Sequence, residues 1–258
     1  MQWEQKDNCP TVRMSNPIWK SSSDVKIPSN FLEHQDTKAI TDSISILKQE
    51  YGDEVAIVGK TMGPWTLAYH VFGVEPFLLG TVDDPDETMK ALHALKEATV
   101  LYGQAQIDAG ADVLTLPDHA TGDLVSGEYY RRFLLEMHQE LEEELSVPIM
   151  LHICGSTVDR MPYIAETGMA AFHFDSKNDP SEAMAAVNGK IRLVGNINNP
   201  TTLYARGPAE VRAEVNAALD AGVQLIAPEC AIPLKTKLEN LLEIPLAVED
   251  WVAERGPN

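Results

Sequence analysis

Cysteine is scarce in this chain, three residues in 258, too few and too odd in number for a disulfide framework. Basic residues are scarce as well, 20 against 39 acidic, giving a formal charge of −19. No positive field is available to collect phosphates, which excludes nucleic acid and anionic membranes as partners and leaves the acidic excess as a solvated surface. No run approaches the 18 or so apolar residues of a membrane span, and the opening MQWEQKDNCPTVRMSN is polar where a signal peptide needs an apolar centre. Neither a GxGxxG nor a P-loop motif occurs, which weakens any nucleotide-binding reading. The expectation is a cytoplasmic protein in a reducing compartment, where clustered Cys and His serve metal binding or catalysis.

What is there reads as one large α/β domain, for which about 250 residues suffice. Residues 1–30, with Pro10, Pro17, Pro28 and the Ser21–Ser23 run, have no sustained apolar period and form an irregular arm carrying Cys9 as a free thiol. Residues 31–258 form the domain. A helix from about Asn30 to Glu50 leads into the apolar run VAIVG at 55–59. One phrase then recurs: an amphipathic helix, a glycine stop, a short apolar strand, a polar end. It appears as DAGADVLTLPD (108–118), ETGMAAFHFD (166–175) and DAGVQLIAPEC (220–230), where Gly110, Gly168 and Gly222 end their helices by accepting left-handed backbone cheaply. VPIMLHIC (147–154) and IRLVGNIN (191–198) bring the strands to six, with helices near 86–108, 127–145 and 208–220. Continuous apolar strands alternating with helices mean a parallel sheet covered on both faces, either a barrel or a doubly wound sheet.

Asp118, His152, Cys154, Asp175, Asn196, Glu229 and Cys230 all sit where apolar runs stop, the place at which parallel α/β folds assemble active sites. His152 and Cys154 are two apart and face the same way from a strand. Cys230 at another strand end would complete two thiolates and an imidazole, the set of a catalytic zinc site with its fourth position open. With seven His and three Cys, chance supplies about 0.08 His-x-Cys pairs, so the pair favours metal over a buried cysteine and a core histidine. His70, His93 and His138 fall within helical segments and read as surface or packing residues.

From about Asp24 to the end the chain resembles the uroporphyrinogen decarboxylase superfamily, within it the zinc-dependent methylcobamide:coenzyme M methyltransferases. The segments VAIVGKTMGPWTL (55–67), DAGADVLTLPD (108–118), VPIMLHICGS (147–156), IRLVGNINNPTTL (191–203) and IAPECAIPLKTKLENL (226–241) carry it, in order, over about nine tenths of the chain. The resemblance implies a TIM-type (β/α) barrel with zinc on His152, Cys154 and Cys230, a methylated corrinoid delivered by a corrinoid protein as methyl donor, and a small thiol such as coenzyme M as acceptor. Asp118 and Asp175 would orient ligands or handle the thiol proton, or else cap helices. Trp65 and Asn196 are the candidates for corrinoid contact, with packing the alternative for Trp65. The other readings are a non-catalytic or partner-requiring subunit that keeps the metal site, and a decarboxylase acting on a porphyrinogen, against which HICG argues.

Two departures stand out. Six β/α units are recognisable where the family has eight, so the strands near 55–59 and 223–227 would present edges to a second copy or a complementing subunit. Around the last ligand, Glu229, Lys235 and Lys237 replace the family's glycine, small or apolar residue, and proline.

Overall fold

The computed structural model describes residues 17–256, and Cys9 lies outside them. The chain divides into two compact units. The first holds residues up to His119 together with Glu143–Pro148; the second holds Ala120–Glu142 and Ile149 onward.

In the first unit the described part of the arm, residues 17–30, is irregular apart from a 3-10 turn at Ser22–Asp24, with Ile18 and Trp19 donating to the Val71 carbonyl. Helix α1 (Gln35–Tyr51) leads to strand β1 (Val58–Lys60), followed by α2 (Pro64–Phe72), α3 (Val74–Asp83), α4 (Pro85–Asp108) and β2 (Val113–Pro117). β1 and β2 run parallel, with Val58 opposite Val113 and Lys60 opposite Thr115. The Asp84 side chain accepts from the Glu87 N–H at the start of α4, with Pro85 in the first turn where its missing N–H costs nothing. Trp65, Tyr69 and Phe77 pack edge to face, with the Trp65 and Phe77 ring centroids 4.8 Å apart. Gly63 and Pro64 are the N-cap and first helical position of α2, which carries His70 in the helical segment expected for it, while α3 has no counterpart in the sequence reading.

The second unit runs α5 (Gly127–Phe133), α6 (Leu135–Glu144, its last two residues counted with the first unit), β3 (Ile149–Ile153), α7 (Met161–Ile164), β4 (Ala171–Phe174), α8 (Pro180–Val187), β5 (Arg192–Ile197), a π-helical turn at Asn199–Tyr204, α9 (Pro208–Asp220), β6 (Leu225–Pro228) and α10 (Leu238–Arg255). The expected helix at 127–145 is thus two helices that meet at Leu134. β3 to β6 pair parallel in chain order, His152 opposite His173 and Gly195 opposite Ile226. Behind them Ile197, Val211, Val215, Leu219, Ile244, Ala247 and Trp251 close an apolar core between β5, α9 and α10.

Gly110, Gly168 and Gly222 have φ of 111°, 81° and 95°. Gly110 and Gly222 directly follow the C-caps of α4 and α9, as the recurring phrase predicts. The helix before Gly168 already ends at Ile164 with Ala165 as its C-cap, so Gly168 turns the chain into β4 without stopping a helix. Val58 on β1 and Leu225 on β6 are each about half exposed, and among the described residues each of these strands pairs on one side only. No helix of the described residues is long and apolar enough to cross a membrane.

Candidate metal centre

β3 delivers two functional side chains because its residues alternate: Leu151 and Ile153 are fully buried, while His152 and Cys154, the latter one residue past the strand, share the other face. Cys230 arrives two residues after β6. The ligand-capable atoms of His152, Cys154 and Cys230 all lie within 4.8 Å of one another. The two sulfurs are 3.1 Å apart, and His152 Nε2 is 3.1 Å from Cys154 Sγ.

The tautomer of His152 follows from its other nitrogen. Nδ1 lies 3.2 Å from the His173 carbonyl, which can only accept, so Nδ1 carries the proton and Nε2 offers its lone pair toward the sulfurs. His173 is itself fixed, Nε2 donating to the Pro228 carbonyl at 2.8 Å just before the Cys230 loop. Burial, and then the adjacent His152, push its pKa down to about 4, so it stays neutral. The two thiols share a proton: Cys154 donates to Cys230, which with burial pushes Cys154 up, while that bond holds Cys230 down at about 3.

Carboxylates surround the cluster without joining it. Asp175 Oδ2 accepts the Gly155 N–H at 2.8 Å and Oδ1 the Lys177 N–H at 2.9 Å. Glu229, 6% exposed, accepts the Ser176 N–H on Oε2 at 3.0 Å and the Asn199 N–H on Oε1 at 2.9 Å. All four oxygens therefore have backbone donors, and His152, Cys154 and Cys230 remain as the group that could hold an ion among the described residues. Two soft sulfurs and one imidazole are a zinc donor set. Tetrahedral bonds of about 2.3 Å to sulfur place two thiolates roughly 3.8 Å apart, so the observed 3.1 Å needs only a small opening. The residues fit the ion.

The bonds of the remaining sequence candidates are as follows. Asp118, in the first unit, has no exposed surface and accepts the Thr66 N–H on Oδ1 at 2.7 Å, supplying from outside the cap that Gly63 has no side chain to give α2. Trp65 requires a correction. It is 0% exposed, inside the first turn of α2, and its indole N–H donates to the Tyr69 hydroxyl at 2.6 Å, so it packs and offers no face to a corrinoid. Asn196 is 8% exposed and donates from Nδ2 to the Asn178 carbonyl at 3.0 Å. His70 and His93 are exposed, and His138 is buried with Nδ1 2.8 Å from the Tyr130 hydroxyl. Sequence reading missed His173, whose signal was its place opposite His152, and the burial of Glu229.

Comparison with known proteins places this geometry among relatives. A family model described as uroporphyrinogen decarboxylase (URO-D) matches residues 2–251. The methylcobamide:CoM methyltransferase MtaA of Methanosarcina barkeri is 31% identical over 250 residues, spanning 96% of this chain and 74% of the relative. Among solved structures, a methyltransferase from Methanosarcina mazei superposes with a TM-score of 0.86 at 29% identity, covering 91% of this chain and 70% of its own. A B12-independent methionine synthase from Shewanella sp. W3-18-1, with a TM-score of 0.67 at 13% identity over 83% of this chain and 67% of its own, shares the fold alone. The expected fold class, a (β/α) barrel type with six recognisable β/α units, is the one these likenesses carry.

Proposed function

Since the chain belongs to the uroporphyrinogen decarboxylase (URO-D) family, we propose that it is a zinc-dependent methyltransferase, moving a methyl group from a protein-bound methylcobamide to a thiol acceptor such as coenzyme M. The observation that carries this reading is the convergence of His152, Cys154 and Cys230 within 4.8 Å at the ends of β3 and β6. Relatives named methylcobamide:CoM methyltransferase and, in Methanosarcina mazei, methylated-thiol–coenzyme M methyltransferase support the donor and acceptor classes.

His152, Cys154 and Cys230 would hold the ion, His152 as a neutral ligand through Nε2. When bound, zinc would supply a Lewis acid that lowers the pKa of a small thiol from its free value of about 8.5, so that its proton would pass to solvent near neutral pH. The two cysteine sulfurs keep the site electron-rich, which favours attack by the acceptor's sulfur on the corrinoid methyl carbon: a carbon–sulfur bond forms, the carbon–cobalt bond breaks and its electron pair stays on cobalt. Neutral His173 adds no positive charge that would hold the acceptor back. Asp175 orients the loop that begins at Gly155, beside Cys154. A corrinoid protein is the expected partner.

The experiment is methyl transfer from methylcobalamin to coenzyme M and other thiols, with metal content measured on the same sample. Transfer with about one zinc per chain supports the reading. Zinc without transfer, even when corrinoid protein is supplied, would favour a non-catalytic subunit.

A further inference from the structure

The two thiol ligands come from strands that do not pair with each other, and β4, between β3 and β5, supplies no ligand. Something must set the distance between Cys154 and Cys230. The bonds converge on the end of β4. Asp175 holds the Gly155 N–H beside Cys154, and the next residue, Ser176, gives its N–H to Glu229 beside Cys230. Glu229 also takes the Asn199 N–H, while Asn199 Nδ2 donates to the Ala231 carbonyl at 2.8 Å. Residues 229 and 231, on either side of Cys230, are therefore both fastened to Asn199. A buried carboxylate one residue from a ligand, with both oxygens given to backbone N–H groups of two different loops, does not serve as an acid or base.

We propose that Glu229 is a positioning residue. It ties the loops after β4, β5 and β6 together, and so sets the separation of Cys230 from Cys154 at which the pair accepts a tetrahedral ion. This rests on the metal reading above. The chemistry requires a carboxylate, because glutamine has one acceptor oxygen and would turn its NH2 toward the Ser176 or Asn199 N–H, donor against donor. Glycine at this position, the residue of the family pattern, would leave both N–H groups without this acceptor.

The test is cobalt(II) and zinc binding to the full chain. Readouts are competitive affinity against a chelator, the sulfur-to-cobalt charge-transfer and d–d bands, and the thermal midpoint in chelator. Glu229→Gln should bind about ten- to a hundredfold more weakly and show altered cobalt bands. Asp220→Asn is the comparison, because Asp220 is likewise a side-chain acceptor of the second unit, taking the Trp251 indole N–H at 2.8 Å, and has no bond to the loops after β4, β5 and β6. It should keep wild-type affinity and bands. If Glu229→Gln does not fold, Asn199→Ala, which releases the Ala231 side of the clamp, carries the same readouts with a smaller expected loss. Wild-type affinity and bands in Glu229→Gln, or equal losses in Asp220→Asn, overturn the proposal while leaving the metal site standing. A wild-type chain that takes up no cobalt or zinc removes both.

Discussion

Asp118 and Asp175 each follow immediately on a parallel strand, β2 in one unit and β4 in the other, yet their carboxylates do different work. Asp118 is wholly buried and completes α2 through the Thr66 N–H, so closely fitted that a Cβ on Gly63 would come within 2.2 Å of its carboxyl carbon. Asp175 is half-buried and holds the Gly155 N–H beside a thiol of the cluster. A strand-end aspartate thus takes the nearest orphan backbone donors, and whether those donors start a helix or frame a ligand decides its role.

The largest effect should come from removing a ligand outright. Cys154→Ala and Cys230→Ala should lower zinc affinity by roughly a thousandfold or more and bring methyl transfer to background, read by elemental analysis and the methylcobalamin assay; zinc retained at the wild-type level in either would break the distinction between the two strand ends. Next is Asp118→Ala. It should cost about 2 kcal/mol of stability through an unmet cap and its cavity, seen in urea unfolding, with zinc affinity unchanged. Loss of zinc there would mean that the two aspartates serve one site after all.

Asp175→Asn sharpens the contrast from the other side, with about a tenfold loss of zinc affinity and less than about 1 kcal/mol of stability. The smallest effect belongs to Asp112, before β2. Its carboxyl is held below the usual aspartate range by the Ile57 N–H and then by Lys48. The folded chain therefore binds its proton less readily than the unfolded one, and the contribution is present above about pH 3.8 and lost as pH falls further. Asp112→Asn should lower the thermal midpoint slightly at pH 7, and its difference from wild type should close below pH 4.

Local rules made much of this legible in the sequence. The glycine stops at Gly110 and Gly222, the six apolar strands and the His-x-Cys spacing depend on neighbours a few positions away and were found, although β1 is Val58–Lys60 and not 55–59, and Gly168 follows a helix that has already ended. Non-local pairing hid the rest. His173 matters because register sets it opposite His152, and Glu229 because it reaches Ser176 and Asn199, 53 and 30 positions away in sequence. Trp65 stood between corrinoid contact and packing for the same reason: its burial belongs to a helix that opens at Gly63-Pro64 and that Asp118 caps from the end of β2.

The most direct measurement is X-ray absorption at the zinc edge of the loaded protein, before and after adding coenzyme M. The account predicts a four-coordinate zinc with two sulfurs at about 2.3 Å and one imidazole, rising to three sulfurs with the thiol present and returning to two when it is removed. A sulfur count that does not change with saturating thiol, or a first shell of oxygen and nitrogen alone, would contradict it.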